Sequence, residues 1–249
     1  MRLPRRSRYL LLKSPHDRPG FHLLKSQANK ENAVPFQVLD FQKDIRNVLT
    51  TPEIRARFLQ VDVGHTAQSH THDLGHEIFL ILQGQAEFTI EGHAEVLGPG
   101  QLCIALTDEM HQVRNVGEEP VIMYLSVTPH IQPTHTMWNE DGTKKPPRFA
   151  LNTAYDVEPD RETATDELLE QQMAAAEAWL AAVETNTQTQ REQIGAYRAA
   201  REAGDEEAAL AARDAMWASL YPAFRSAFAL ADVWNSFTSR TVDTEYTGP

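Results

Sequence analysis

Residues 64–84, GHTAQSHTHDLGHEIFLILQG, hold four of the chain's ten histidines and one glutamate, just before a run of strand-forming residues. A strand built from that run carries a polar cluster at one end of an apolar core. On a strand, positions i and i+2 point to the same face, about 7 Å apart along the chain. His70 and His72 therefore converge. Glu77 lies five residues beyond His72, on the wrong face of an uninterrupted strand. Asp73-Leu74-Gly75 offers a turn that returns it to the histidine side, where it shares a face with Phe79 and Ile81. A carboxylate above such an apolar floor needs a cation or hydrogen-bond donors. One hairpin cannot enclose an ion, and His111, which opens HQVRNV after a turn, is the candidate third imidazole.

The surroundings are β in character. Short strand-like segments occupy 55–63, 76–83, 86–91, 94–97, 101–106, 111–116 and 120–127, punctuated by glycine and acidic turns. Such spacing predicts an antiparallel sandwich or barrel. In 86–91 the residues Ala86, Phe88 and Ile90 alternate with Glu87, Thr89 and Glu91, so that strand is buried on one face. In 76–83 both faces are apolar. One faces the barrel interior; the other needs cover from a second subunit, an N-terminal arm or C-terminal helices.

On these residues the sequence resembles the cupins. Their first motif runs Gly, five residues, His, one, His, four, Glu, six, Gly, and Gly64, His70, His72, Glu77 and Gly84 stand at those spacings. Their second motif, Gly, five, Pro, one, Gly, two, His, three, Asn, is matched at Gly100, His111 and Asn115. It departs where Leu106 and Asp108 replace Pro and Gly, in the turn before His111. The resemblance spans roughly residues 55–128. It implies a cupin barrel, that is, a double-stranded β-helix or jelly roll. It also implies one divalent transition metal held by His70, His72, Glu77 and His111, with Glu77 as ligand or catalytic base. Three imidazoles and one carboxylate suit Fe, Mn, Ni, Cu or Zn without choosing among them.

The other histidines read differently. His76 points away if Glu77 points in, and His65 and His93 are turn residues beside glycines. His130 and His135, after the last strand, are expected at the surface, with an acid/base role at the barrel mouth as the alternative. Cys103, between Leu102 and Ile104, reads as a small buried hydrophobe. Strand parity offers Gln83, Arg114 and Tyr124 as pocket residues, and Asp108-Glu109 as an exposed turn.

The organisation expected is an extension over 1–50 wrapping the barrel, a cupin barrel over 51–135 and an irregular linker over 136–160. A helical region over 161–237 and a loose tail over 238–249 follow. Within 1–50, residues 21–25 and 36–41 read as short strands. In the helical region Leu169, Met173, Ala176, Leu180 and Val183 form one stripe, which Thr185-Asn186-Thr187 breaks. A second helix ends at Gly204, Asp205 caps a third, and Pro222 kinks or divides that one. A helical bundle or hairpin results, suited to packing or assembly as a homodimer.

Net charge is −12, from 23 basic and 35 acidic residues. Such a surface repels phosphate backbones, so nucleic acid is not an expected partner. Residues 1–50 run against this balance with ten basic side chains and four acidic ones. They read as an arm lying on an acidic body. A single cysteine fits a cytoplasmic location. No apolar stretch approaches the roughly 20 residues that span a bilayer, so no membrane partner is expected. The cupin resemblance, with its three histidines and one glutamate, implies a metal-dependent enzyme on a small molecule, a dioxygenase first and an isomerase or lyase next. The alternative is a non-enzymatic ligand- or metal-binding module with a helical assembly region.

Overall fold

A computed structural model describes residues 36–242, and the account below concerns the unit that begins at Leu39. The strand expected over 21–25 lies outside the described residues. Residues 36–41 form no strand.

Eight strands appear: β1 (Asn47–Thr51), β2 (Ile54–Val61), β3 (His76–Gln83), β4 (Ala86–Ile90), β5 (His93–Leu97), β6 (Leu102–Ala105), β7 (His111–Asn115) and β8 (Val121–Thr128). One sheet has the order β1-β2-β8-β3-β6 and the other β5-β4-β7, with every named pair antiparallel. Seven strands coincide with the segments that alternation picks out. The eighth, β1, pairs with the edge of β2 inside the stretch read as an extension. It is fixed there by Asn47, whose backbone N–H and Nδ2 donate to Asp156 Oδ2 at 2.8 and 2.9 Å.

Phe79, Ile81, Met123 and Leu125 of the larger sheet meet Ala86, Phe88 and Val113 of the smaller one in a single core. The rings of Phe79 and Phe88 lie 4.9 Å apart. On β3 the inward face is Glu77, Phe79 and Ile81, as alternation requires, and the outward residues Ile78, Leu80 and Leu82 are half-buried. Gly84 closes the first motif for a steric reason. Its φ is +79°, and a Cβ there would lie 2.9 Å from the Pro120 carbonyl oxygen.

Beyond β8 the chain runs irregularly through residues 129–164, apart from one 3-10 turn at Asn152–Tyr155. It then forms two helices, α1 (Thr165–Ala203) and α2 (Glu206–Thr238). The break expected at Thr185–Thr187 does not occur. The hydroxyls of Thr185, Thr187 and Thr189 donate to carbonyls four residues earlier, which lets these residues sit inside the helix. Nor does Pro222 divide α2. Gly204, at φ +72°, ends α1, and Asp205 caps α2 by accepting from the Ala208 N–H, as expected. The helical region is therefore a hairpin of two helices. No described helix is long and apolar enough to cross a membrane.

The far end of α2 grips the loop after β8. Asn235 Nδ2 donates to the His130 carbonyl and its Oδ1 accepts from the Gln132 N–H, both at 2.9 Å. Trp234 Nε1 donates to the Gln132 carbonyl. Thr238 and Ser239, in the stretch expected as a loose tail, are buried, and Arg240 donates to the carbonyls of Asp160 and Thr163. Residues 243–249 lie outside the described residues. Asn235→Ala strands a part-buried donor and acceptor of this loop, so urea unfolding is expected to register a loss of about 1–3 kcal/mol.

Candidate metal centre

The four residues singled out by spacing come together. Segment 66–72 runs beside β7, with bridges at Thr66–Arg114 and His70–His111. This brings His70 and His72 over the start of β7, where His111 stands. Glu77 enters from the second position of β3, opposite Ala105 and Val127. One ligand atom from each of His70, His72, Glu77 and His111 lies within 4.8 Å of the others. His72, Glu77 and His111 are buried.

Hydrogen bonds fix the tautomers. His70 Nδ1 meets the Gln68 carbonyl at 2.9 Å, His111 Nδ1 meets the Glu109 carbonyl at 2.9 Å, and His72 Nδ1 meets the Thr134 carbonyl. A carbonyl only accepts, so each Nδ1 carries the proton and each neutral ring presents its Nε2 lone pair to the cluster. Those Nε2 atoms lie 2.8 Å (His72), 3.1 Å (His111) and 3.9 Å (His70) from Glu77 Oε2. His70 Nε2 is buried and without a hydrogen-bond partner. Lone pairs aimed at a carboxylate repel one another unless a proton or a cation lies between them. This donor set fits a first-row transition metal.

Without a metal, protons must do that work. Burial alone would raise the Glu77 carboxyl, but its bonds to His111 and His72 outweigh burial and hold it well below the usual carboxylate range. Burial would lower His111, yet the bond and charge of Glu77 raise it. His70, buried beside His111, falls to about 4.

The turn before His111 shows how the departure from the second motif is accommodated. Asp108 takes a left-handed conformation, φ +65°, at the position where the motif has glycine, and its N–H donates to the His72 carbonyl at 3.0 Å. Glu109 Oε2 accepts from the Leu106 N–H. Asn115 acts on the backbone: its Nδ2 donates to the Val61 and Glu119 carbonyls and its Oδ1 accepts from the Gly117 N–H. His76 is exposed and its Nδ1 accepts from the Thr107 N–H, while His65 and His93 are exposed. Cys103 packs partly buried against the core, and burial plus the Glu77 charge push its thiol up to about 12.

Several expectations need correction. His130 and His135 are not surface residues. The His135 ring packs 4.7 Å from that of His70 and 4.9 Å from that of His72. His130 is buried, with its ring 4.6 Å from Tyr155. The loop held by α2 folds back over the barrel mouth, with Thr71 bridged to Thr136 and Trp138 Nε1 donating to Thr71 Oγ1. The pocket residues suggested by parity are elsewhere. Arg114 pairs with Glu87 at the surface, Gln83 donates to Glu119 Oε2 and the Pro120 carbonyl, and Tyr124 packs against Phe58 on the outer face. A cavity of about 260 Å³ beside Leu151, Asp160, Ser236 and Arg240 shares no lining residue with the histidine cluster.

Two residues of the interior went unnoticed. Arg57 pairs with Leu125, which pairs with Phe79; Arg55 pairs with Val127, which pairs with Glu77. Directly paired residues share a face, so both arginines face inward. The signal was present in RARFLQV: Arg55 and Arg57 have the parity of Leu59 and Val61.

Burial, with the Arg55 charge next, lowers the His130 imidazole to about 3. The folded protein therefore holds His130 neutral, whereas the unfolded chain takes up a proton below about pH 6.5. Its contribution to stability is complete above that pH and is lost as pH falls toward 3. Metal-free His130→Asn protein is expected to lose less stability between pH 6.5 and 4.5 than the parent, as followed by urea midpoints at each pH.

Comparison with known proteins agrees with this geometry. Residues 57–128 match the family model described as "Cupin domain". No curated protein matches the chain. Among solved structures, a conserved protein with a double-stranded β-helix domain from Klebsiella pneumoniae is similar at 24% identity. That match covers 38% of this chain and 90% of the other, with a TM-score of 0.36. The protein TT1209 from Thermus thermophilus is similar at 17% identity, over 38% of this chain and 98% of that one, TM-score 0.36. KdgF from Halomonas sp. is similar at 25% identity, over 35% and 78% of the two chains, TM-score 0.33. The β domain that carries the histidine cluster is a cupin domain.

Proposed function

We propose that this cupin domain is a metal-dependent enzyme acting on a small molecule, an oxidoreductase of the dioxygenase type first and an isomerase or lyase second. The observation that carries the reading is the convergence of three Nε2 lone pairs and one carboxylate on a single point. A metal bound there supplies Lewis acidity toward substrate oxygens or redox chemistry. The chain's own contributions are separate. Backbone carbonyls hold the three imidazoles in one tautomer. Glu77 is the only carboxylate of the cluster, and a substrate proton released beside it has Oε2 as its acceptor. Phe79, Ile81 and Phe88 exclude water from beneath.

The cover of the site favours a second reading, a metal-binding module without turnover. His70 keeps 16% of its side chain exposed, and His135 lies against it. Two measurements separate the readings. Elemental analysis of purified protein is expected to find one transition metal per chain and none in His70→Ala/His72→Ala protein that remains folded. Unchanged metal content in that variant removes the site assignment. Oxygen uptake and product analysis on metal-loaded protein with diols, flavonoids, thiols and short carboxylic acids are expected to find a substrate; full loading with no turnover of any of them leaves the module.

The hairpin has a role of its own in this reading, joining two copies of the chain. Leu169, Met173, Leu180 and Val183 of α1 and Leu210, Trp217, Tyr221 and Phe224 of α2 are exposed. The face of α1 turned to α2 carries Asn186 and Gln190, which bond Ser219 and the Met216 carbonyl. In both helices the apolar stripe lies about 100° further round in the same rotational sense. The helices are antiparallel, so both stripes emerge on one side of the hairpin. In α1 the stretch 165–190 carries five acidic and no basic residues, while Arg191, Arg198 and Arg201 follow with Glu192 and Glu202 among them, a net charge of opposite sign. A two-fold antiparallel partner sets these halves against each other. Trp217→Glu/Phe224→Glu is expected to convert a dimer to a monomer by light scattering without changing metal content. A monomeric parent chain, or a dimer that persists in the variant, overturns it.

A further inference from the structure

Arg55 is 2% exposed, and its Nε and Nη1 have no hydrogen-bond partner. No ion pair reaches it or Arg57 among the described residues. Leaving a guanidinium buried and unmatched is costly, and in folded proteins such a charge is normally paired. The neighbours offset it only in part. Its guanidinium carbon sits 5.3 Å from the centre of the Tyr155 ring. The acidic groups close by are engaged: Asp156 Oδ2 accepts twice from Asn47, and Glu77 Oε2 faces the imidazoles. Arg57 adds a second cation. Burial, then the Arg55 charge, lower its pKa against the opposing charges of Asp156 and Glu77, and its Nε also lacks a partner.

The register places this charge beside the metal centre. Arg55 and Glu77 are inward-facing residues at one level of the sheet, separated only by Val127 of β8. Two strand spacings put their backbones about 10 Å apart. A small ligand lying between an arginine side chain and the Nε2 cluster spans that interval. Tyr155, under Arg55, shares its hydroxyl with Thr134 Oγ1 at 3.3 Å, and the Thr134 carbonyl holds His72.

Resting on the metal-centre reading, we propose that Arg55, with Arg57 beside it, binds the carboxylate of a small anionic substrate whose other oxygens face the cluster. A guanidinium fork takes a carboxylate in two parallel hydrogen bonds and tells it from a neutral diol of the same size. The substrate class is thus a short carboxylic acid, such as a hydroxy or oxo acid, rather than an uncharged polyol or an extended aromatic.

The test uses the full-length, metal-loaded chain and calorimetric titration with acetate, lactate, pyruvate and malonate, with propane-1,2-diol as the neutral match for lactate. At least one carboxylate is expected to bind ten-fold or more tightly than the diol. Arg55→Met is expected to weaken that binding at least ten-fold with metal stoichiometry unchanged, and Arg55→Lys to restore part of it. Without ligand, Arg55→Met is expected to raise the melting temperature, because it removes an unmatched buried charge; an arginine kept for structure would lower it on replacement. The proposal is overturned if no carboxylate binds the loaded parent, or if Arg55→Met binds as the parent does. Should the parent hold no metal, the metal-centre reading fails by itself, and the same titrations on metal-free protein still decide the role of Arg55.

Discussion

Three N–H bonds from imidazole to backbone carbonyl govern the rest of the site. Gln68, Glu109 and Thr134 act on the cluster through their backbone carbonyls and not their side chains. Their carbonyls nevertheless decide which nitrogen of each ring bears a proton, and so which nitrogen is free to bind. An imidazole that was free to flip would satisfy Glu77 as a simple donor, and the cluster would be an ordinary buried polar network. Pinned as they are, the rings present acceptors to an acceptor. The barrel's apolar floor sharpens the conflict, since a low-dielectric surrounding strengthens every unmatched interaction.

The sheet register sets what lies around that conflict. Because β2, β8 and β3 are adjacent, the inward rows toward the mouth pass from Leu59, Met123 and Ile81, through Arg57, Leu125 and Phe79, to Arg55, Val127 and Glu77. Charge is thus segregated to one end of an otherwise apolar interior. The histidine–glutamate cluster and the buried guanidinium stand at the same end of the barrel. That arrangement stores electrostatic cost in the folded chain, the usual sign that a site was shaped for something it binds rather than for stability alone.

The histidine–glutamate cluster and seven strands were legible because both are written locally: period-two alternation for the strands, and fixed spacings for His70, His72, Glu77, His111 and the glycines that turn the chain. What was hidden depends on distant contacts. His130 and His135 read as surface residues because nothing near them in sequence buries them; they stand on a loop that α2 holds against the barrel from a hundred residues away through Trp234 and Asn235. Thr185–Thr187 read as a break because threonine disfavours helix interiors, and hydroxyl bonds to the preceding turn reversed that. Arg55 and Arg57 read as part of an ordinary strand, since parity alone does not say that a charged pair follows the apolar residues inward.

The Thr134 carbonyl changes what counts as the unit of folding. The family match ends at residue 128, yet the partner of His72 Nδ1 lies six residues beyond it, in the loop that α2 grips. Bound at the cluster, an ion would join segments near residues 70, 77 and 111 directly and residue 134 through His72, closing loops of tens of residues as a disulfide does. The free energy of that cross-link is shared by the barrel, the loop and the end of the hairpin. The melting point of the whole chain would then depend on the concentration of free metal around it.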